Sequence, residues 1–206
     1  MGNREDLLTA ARTCIYQRGF AATTARDIAD SAGVSLAAIG YHFGSKDQLI
    51  SEAITEAIGD GIEEELEILI RTAAAGRSLT ESFAATWAGV GAIFLRNREG
   101  IVASAENIIR VHRSSDGQRY MEKAGAQAVS EIAATLGAVC PELTPAQAEA
   151  VGRLYYTLLN GLSIQWLGNP NGALPTGDDF ALALAALVPQ PAAPAGVSGA
   201  AGVDPV

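Results

Sequence analysis

Residues 24–43, TARDIADSAGVSLAAIGYHF, constrain the fold of this chain more than any other stretch, because they turn two short helices around one glycine. Thr24 suits an N-cap, and Asp27 three residues on complements the free amides of a first helical turn. Ile28, Ala29 and Ala32 give that helix one apolar face. Gly33 ends it, since a tight interhelical turn favours a residue that tolerates positive φ. Val34 packs the turn, and Ser35 is expected to cap a second helix running to about His42. A small residue at Ala29 lets the two helices cross closely, and Ile39 plugs the second into the first. This is the pattern of a helix-turn-helix, whose second helix enters the DNA major groove. The spacing alone fits an ordinary helical hairpin in a protein core equally well.

Composition supports an all-helical chain. The 206 residues are 49% hydrophobic but only 6% aromatic, an aliphatic, alanine-rich balance long enough to bury a sizeable core. No run approaches the ~18 apolar residues of a membrane span, and the N-terminus enters a charged helix without a signal-peptide core. A cytoplasmic protein without membrane contact is therefore expected. Cys14 and Cys140 are distant and lack CxxC or histidine company, so neither a disulfide nor a metal site is implied. Cys14 reads as packing. Cys140, before Pro141, reads as a loop residue that could be a reactive thiol.

The net charge of −9 divides unevenly. Residues 1–50 hold five basic side chains (Arg4, Arg12, Arg18, Arg26, Lys46) and five acidic ones, so the whole excess lies in the remaining 156 residues. An acidic body discourages nonspecific adhesion to DNA. A neutral head must rely on a few positioned phosphate contacts and helix N-termini.

A first helix is expected over about residues 4–18, with Leu7, Leu8, Ala11, Cys14 and Ile15 on one face and Gly19 at its end. A fourth opens at Ser45, where Gln48 completes a capping box, and runs on through Leu49, Ile50, Ala53, Ile54, Ile62, Leu66 and Leu69. Gly59-Asp60-Gly61 interrupts it, either as a joint between head and body or as an irregularity at a close helix contact. Further on, Phe83, Trp87, Val90 and Phe94 form a helical stripe, followed by an expected charged turn at residues 96–100. Ile101, Ala105, Ile108, Ile109 and His112 mark the next helical face, and Tyr120, Ala124, Ala128, Ile132 and Leu136 a third. Thr144-Pro145-Ala146-Gln147 is a helix start for a helix to about Leu167, and Thr176 caps a last one over about 177–187. From residue 188 the chain reads as a Pro/Gly/Ala-rich flexible tail.

Gly19-Phe20 and Thr23-Thr24 before the motif, and Tyr41-His42-Phe43-Gly44-Ser45-Lys46 with Asp47-Gln48-Leu49 after it, resemble the N-terminal DNA-binding domain of the TetR family of transcriptional regulators over roughly residues 4–55. The resemblance implies an all-α fold of about nine helices: a three-helix head (1–48) and a larger helical body for ligand binding and dimerisation (49–187), before the tail (188–206). It implies that Thr24, Tyr41, His42 and Lys46 touch the DNA backbone, that Arg26 reaches a base, and that Ser35, Leu36 and Ala37 face the groove. Two departures stand out. Leu36-Ala37-Ala38 lacks the amides and arginines of strong base readout, and Gly40 stands where the family often carries a side chain able to contact DNA, so sequence preference would lean on DNA shape.

The resemblance further implies a body that holds a small-molecule effector and pairs through its last two long helices. The sequence independently offers helices at 145–167 and 177–187 for a homodimer on a palindromic operator in double-stranded DNA. Trp87, Phe94, Asn107, Val111, Tyr120, Tyr155, Tyr156 and Asn160 could line an effector pocket, although large residues at helical spacing serve equally as core. No cofactor is implied. An enzyme is disfavoured, because His42 and His112 are the only histidines and no nucleophile elbow, HExxH, P-loop or dinucleotide fingerprint occurs. The expected function is a ligand-responsive, homodimeric repressor. The alternative is a helical protein-interaction or small-molecule-binding protein whose DNA binding has weakened.

Overall fold

The computed structural model describes residues 3–112 and 114–187, so the tail expected at 188–206 lies outside the described residues. The helices, in chain order, are α1 (Asn3–Ala22), α2 (Ala25–Ala32), α3 (Leu36–Phe43), α4 (Lys46–Ile58), α5 (Glu64–Ala74), α6 (Leu79–Arg96), α7 (Arg98–Val111), α8 (Ser115–Val139), α9 (Pro145–Gly168) and α10 (Gly177–Leu187), with no strand among the described residues. A π-helical turn, Gly59–Glu63, joins α4 to α5 without a break, so the ten α-helices form nine separate rods.

The head gathers around one aliphatic core. Leu7, Leu8, Ala11, Cys14 and Ile15 of α1 meet Ile28 and Ala29 of α2, Ile39 and Phe43 of α3, and Leu49, Ile50, Ala53 and Ile54 of α4. The first turns of α4 thus belong to the head's core, and Ala103 of α7 completes it from the body side. The body has its own core, from Ile62, Leu66 and Ile70 through Phe83, Trp87, Phe94 and Ile101 to Tyr155, Leu162 and Trp166. α8 packs along α9, α5 along α6, and α10 against α6. Ile101 lies in the body core and Ala103 in the head core, so α7 ties the two together.

Three local features differ from the sequence-based expectations. Gly19 kinks α1 (φ 74°, ψ 166°) rather than ending it, and the helix re-forms to Ala22. The charged stretch at 96–100 is no turn: Asn97 alone separates α6 from α7. Its side-chain amide donates to the Ile93 carbonyl (3.0 Å) and to Glu65 Oε1 (3.1 Å), while Arg96 pairs with Glu65. The polar groups that suggested a loop instead pin α6 to α5. Ser35 holds the N-cap position of α3 (φ −71°, ψ 149°), but its hydroxyl makes no capping hydrogen bond. α8 begins five residues before Tyr120, where Ser114 Oγ accepts from the Gly117 amide at 3.2 Å.

Gly61 packs close against Asn97: a Cβ there would meet the end of the Asn97 side chain, which would have to shift. That contact favours a close helix crossing over a free joint. Gly33 is required by conformation instead, adopting φ 68°, ψ 28° while its amide closes α2.

Candidate functional site

The turn between α2 and α3 is built from both sides. Thr24 Oγ1 accepts from the Asp27 amide (3.1 Å), and Asp27 Oδ2 accepts from the Thr24 amide (2.8 Å) and hydroxyl (2.6 Å). These Thr24 bonds, with smaller help from Arg18 at 3.2 Å, hold the Asp27 carboxyl below its ordinary value. The start of α2 is thereby locked as an ionised capping box.

Helix α3 divides sharply. Ile39 and Phe43 are buried in the head core, whereas Leu36 is 51% exposed, Tyr41 is 86% exposed, and Ser35, Ala37 and Gly40 are exposed with them. The outward face thus carries small side chains at Ser35, Ala37 and Gly40 between the projecting Leu36 and Tyr41, and the small positions admit close approach to a groove floor. Nothing lies within 4 Å of where a Gly40 Cβ would stand, so packing does not demand glycine there. Arg26 is exposed on α2, Thr24 is exposed beside it, and half-buried His42 lies edge-on to the Tyr41 ring at 4.8 Å. Lys46 differs in kind: its Nζ donates to the Thr23 carbonyl (2.9 Å) and lies 5.2 Å above the Phe20 ring. Its ammonium is already engaged in joining α4 to the end of α1.

A cavity of about 700 Å³ opens in the body, walled by α5, α7, α8 and α9 with Thr55 of α4 and Phe94 of α6. Of the eight pocket candidates, Phe94, Tyr156 and Asn160 line it. Trp87 and Tyr155 do not. They close instead into an aromatic cluster with Phe83 and Phe180, with ring centroids 5.2–5.9 Å apart. Trp87 Nε1 is buried there without a hydrogen-bond partner among the described residues, and burial pushes the Tyr155 phenol up to about 12 against a smaller opposing effect of the neighbouring Thr86 hydroxyl. Asn107, Val111 and Tyr120 also stand away from the cavity, near the seam between head and body. Asn107 Oδ1 accepts from Arg110 (3.2 Å from Nε, 2.6 Å from Nη2), Val111 packs against Gly117, and burial raises the half-buried Tyr120 phenol.

The large-residue list misses what gives the cavity its character. Ser104, Ala105, Ala124, Gly125 and Ala128 leave the space, and Glu63 and Glu131 bring charge to its wall. Burial, reinforced by Glu131, raises the Glu63 carboxyl above its ordinary 4.5. A carboxyl whose folded-state value is raised loses stability for the fold as pH rises through that range. Glu63→Gln is therefore expected to raise the urea midpoint at pH 7, with the gain fading as pH falls toward 4.5 and gone below it. An equal gain at both pH values, or a loss at pH 7, would contradict the desolvation. Cys140 is buried at the end of α8, and burial pushes its thiol up, away from the reactive thiolate considered from the sequence.

At the seam, Arg110 of α7 donates to Ser51 of α4 and to Asn107, lies 3.5 Å from Asp47, and sits 5.2 Å above Phe20 of α1. Burial lowers Arg110 and Asp47 opposes that shift. Asn107 Nδ2 also approaches Met121 Sδ at 3.8 Å, and Met121 lines the cavity. A packed path therefore connects the cavity to the helix that precedes the turn motif. The spacing of apolar residues gave no sign of it.

Residues 7–53 match the family model described as bacterial regulatory proteins, tetR family. The N-terminal head is thus similar to the DNA-binding domain of the TetR family. Over 53 residues the chain is 45% identical to the HTH-type transcriptional repressor KstR2 of Mycolicibacterium smegmatis, covering 26% of each chain, so the match spans about a quarter of that repressor's length. The HTH-type transcriptional regulator BetI of Agrobacterium fabrum is 28% identical over 165 residues, 79% of this chain and 75% of that regulator. Among solved structures, the multidrug binding protein EbrR complexed with imidazole superposes with a TM-score of 0.64 at 22% identity, covering 93% of this chain and 98% of that one. The fold likeness thus extends past the TetR-like head through the helical body. No helix among the described residues is long and apolar enough to cross a membrane.

Proposed function

We propose that this chain is a transcriptional repressor of TetR type that works as a homodimer and answers to a small-molecule effector. The observation that carries the reading is the division of α3, whose Ile39 and Phe43 are anchored in the head core while Leu36, Ala37 and Tyr41 stand exposed, as does Arg26 on α2. In this reading Ser35, Leu36 and Ala37 face the major groove of double-stranded DNA, Arg26 reaches a base, and Thr24, Tyr41 and His42 meet the backbone. Lys46 would approach a phosphate only by leaving the Thr23 carbonyl, so its role is first to hold the motif against α1.

Dimerisation is supported by exposed apolar side chains on the last two helices. Leu154 and Ile164 of α9 and Leu182 and Leu187 of α10 are exposed, Leu182 by 73%, and a soluble monomer seldom leaves such a surface uncovered. A twofold pair through these helices would present two α3 helices to a palindromic operator. The cavity supports an effector site, and EbrR, whose fold the chain shares, is described as multidrug binding. The reading places the protein in the cytoplasm with its DNA and gives it no catalytic role.

Gel-shift titration against DNA upstream of its own coding region, at low salt, tests the DNA reading, and sedimentation equilibrium tests the dimer. A specific shift from a dimer is expected. A stable dimer that shifts no DNA at low salt would transfer the reading to a helical interaction protein, which the neutral head favours.

A further inference from the structure

We propose that the body cavity is built for a hydrophobic monovalent cation, whose charge lies against Glu63 and Glu131. The inference deepens the effector reading above and rests on it. The cavity's volume, about 700 Å³, falls within the range of about 300–1,000 Å³ usual for drug-sized ligands. Ile70, Phe94, Ile101, Ile132 and Leu159 make much of its wall apolar. Among the described residues that line it, none is Lys, Arg or His, while Glu63, Glu64, Glu67 and Glu131 are acidic.

The four carboxylates are not equivalent. Glu67 is paired with Arg71 at 2.8 Å on the exposed face of α5, and Glu64 is exposed. Glu131 is exposed at the cavity edge, accepts from the neutral amide of Gln127 (2.8 Å) and has no cationic partner among the described residues. Glu63 is half-buried and has neither a hydrogen bond nor an ion pair among the described residues. A carboxylate withdrawn from water is normally paired. The π turn holds this one at the cavity wall, and the Glu131 charge is near enough to act on it.

An anion in this space would meet negative charge and no basic side chain. A neutral apolar molecule would leave Glu63 desolvated without return. A cation with hydrophobic arms satisfies both the wall and the carboxylates. One charge suffices, because Glu131 borders solvent and is partly compensated by water.

Tetraphenylphosphonium and tetraphenylborate, which share size and shape and differ in the sign of charge, separate this idea from simple hydrophobic binding. Calorimetric titration of the full chain is expected to give at least about tenfold tighter binding of the phosphonium. Glu63→Gln and Glu131→Gln are each expected to weaken phosphonium binding, together by about tenfold or more, without weakening the borate. Equal binding of the two ions, binding of neither, or a double variant with unchanged phosphonium affinity would overturn the proposal. The comparison of ions on the unaltered protein does not depend on how any variant folds. Gel shift on the same preparation keeps the two readings apart. Failure here with DNA binding intact removes the cationic effector alone, whereas loss of DNA binding removes the regulator.

Discussion

Replacing Ala37 with glutamate is expected to weaken operator binding by at least about 100-fold while leaving the fold unchanged. Ala37 is exposed in the first turn of α3, and its neighbours Ile39 and Phe43 supply that helix's anchorage. An acidic residue in a first helical turn is neutral to favourable for the helix, because it faces the positive end of the macrodipole. On DNA the same carboxylate would sit between two phosphate backbones, on a helix whose outward residues include no basic side chain in its first turn. Like-charge juxtaposition at an interface costs several kcal/mol, and about 3 kcal/mol corresponds to a factor of about 100 in affinity. Gel shift at moderate salt reads the loss, with circular dichroism and ligand titration as controls for the fold. Normal binding by Ala37→Glu would mean that α3 does not enter the groove.

The contrast between head and body explains how much of this protein was legible in its sequence. The turn motif is local: Thr24, Asp27, Ala29, Gly33 and Ile39 act on one another within sixteen residues, and the structure shows the capping box, the left-handed glycine and the buried isoleucine in those places. The helix start at Thr144 was legible for the same reason, since Gln147 completes its capping box, whereas at Ser45 only the hydroxyl caps the Gln48 amide and the Gln48 side chain donates to Glu52 instead. What periodicity could not register was long-range or register-breaking. The π turn advances the chain out of phase, so Glu63 meets the cavity although the α4 pattern assigns it no inward face. Lys46 looked like a free cation because the Thr23 carbonyl lies twenty-three residues away.

The cavity teaches a more general point about large side chains. Trp87 and Tyr155 attract attention in a sequence with few aromatics, yet bulky residues close space rather than leave it. In the structure they fill the body core with Phe83 and Phe180. The space is made where small residues on α7 and α8 face α9, with Gly125 opposite the Tyr156 phenol. A search for opposed small residues on amphipathic helices would have pointed nearer the site than a search for rings.

Arg110→Met is expected to uncouple the body from the head: operator binding by the free protein stays within about threefold, while the effector's influence on it falls below about twofold. Arg110 holds α1, α4 and α7 together. Its guanidinium bonds Ser51 on α4 and Asn107 on α7 and covers Phe20 on α1, with its side chain only 11% exposed. Asp47 is 54% exposed, so that ion pair is screened and adds little. Hydrogen bonds from a charged donor contribute about 1.5–3 kcal/mol, so losing the shared pair should lower stability by about 2 kcal/mol, seen as a reduced urea midpoint. Methionine keeps the apolar stem against Phe20, and the Phe20 amide still donates to Glu106 at 3.3 Å, so the seam stays closed. What is lost is the rigid link from Met121 at the cavity through Asn107 to α1 and α4. Coupling between two sites needs an element that both can bias, and α7 is the helix that contributes to both cores and to the cavity wall. Gel shift with and without tetraphenylphosphonium measures the coupling directly. A full effector response in Arg110→Met, with the stability loss present, would show that the signal reaches α3 by another route, most directly along the continuous α4–α5 rod.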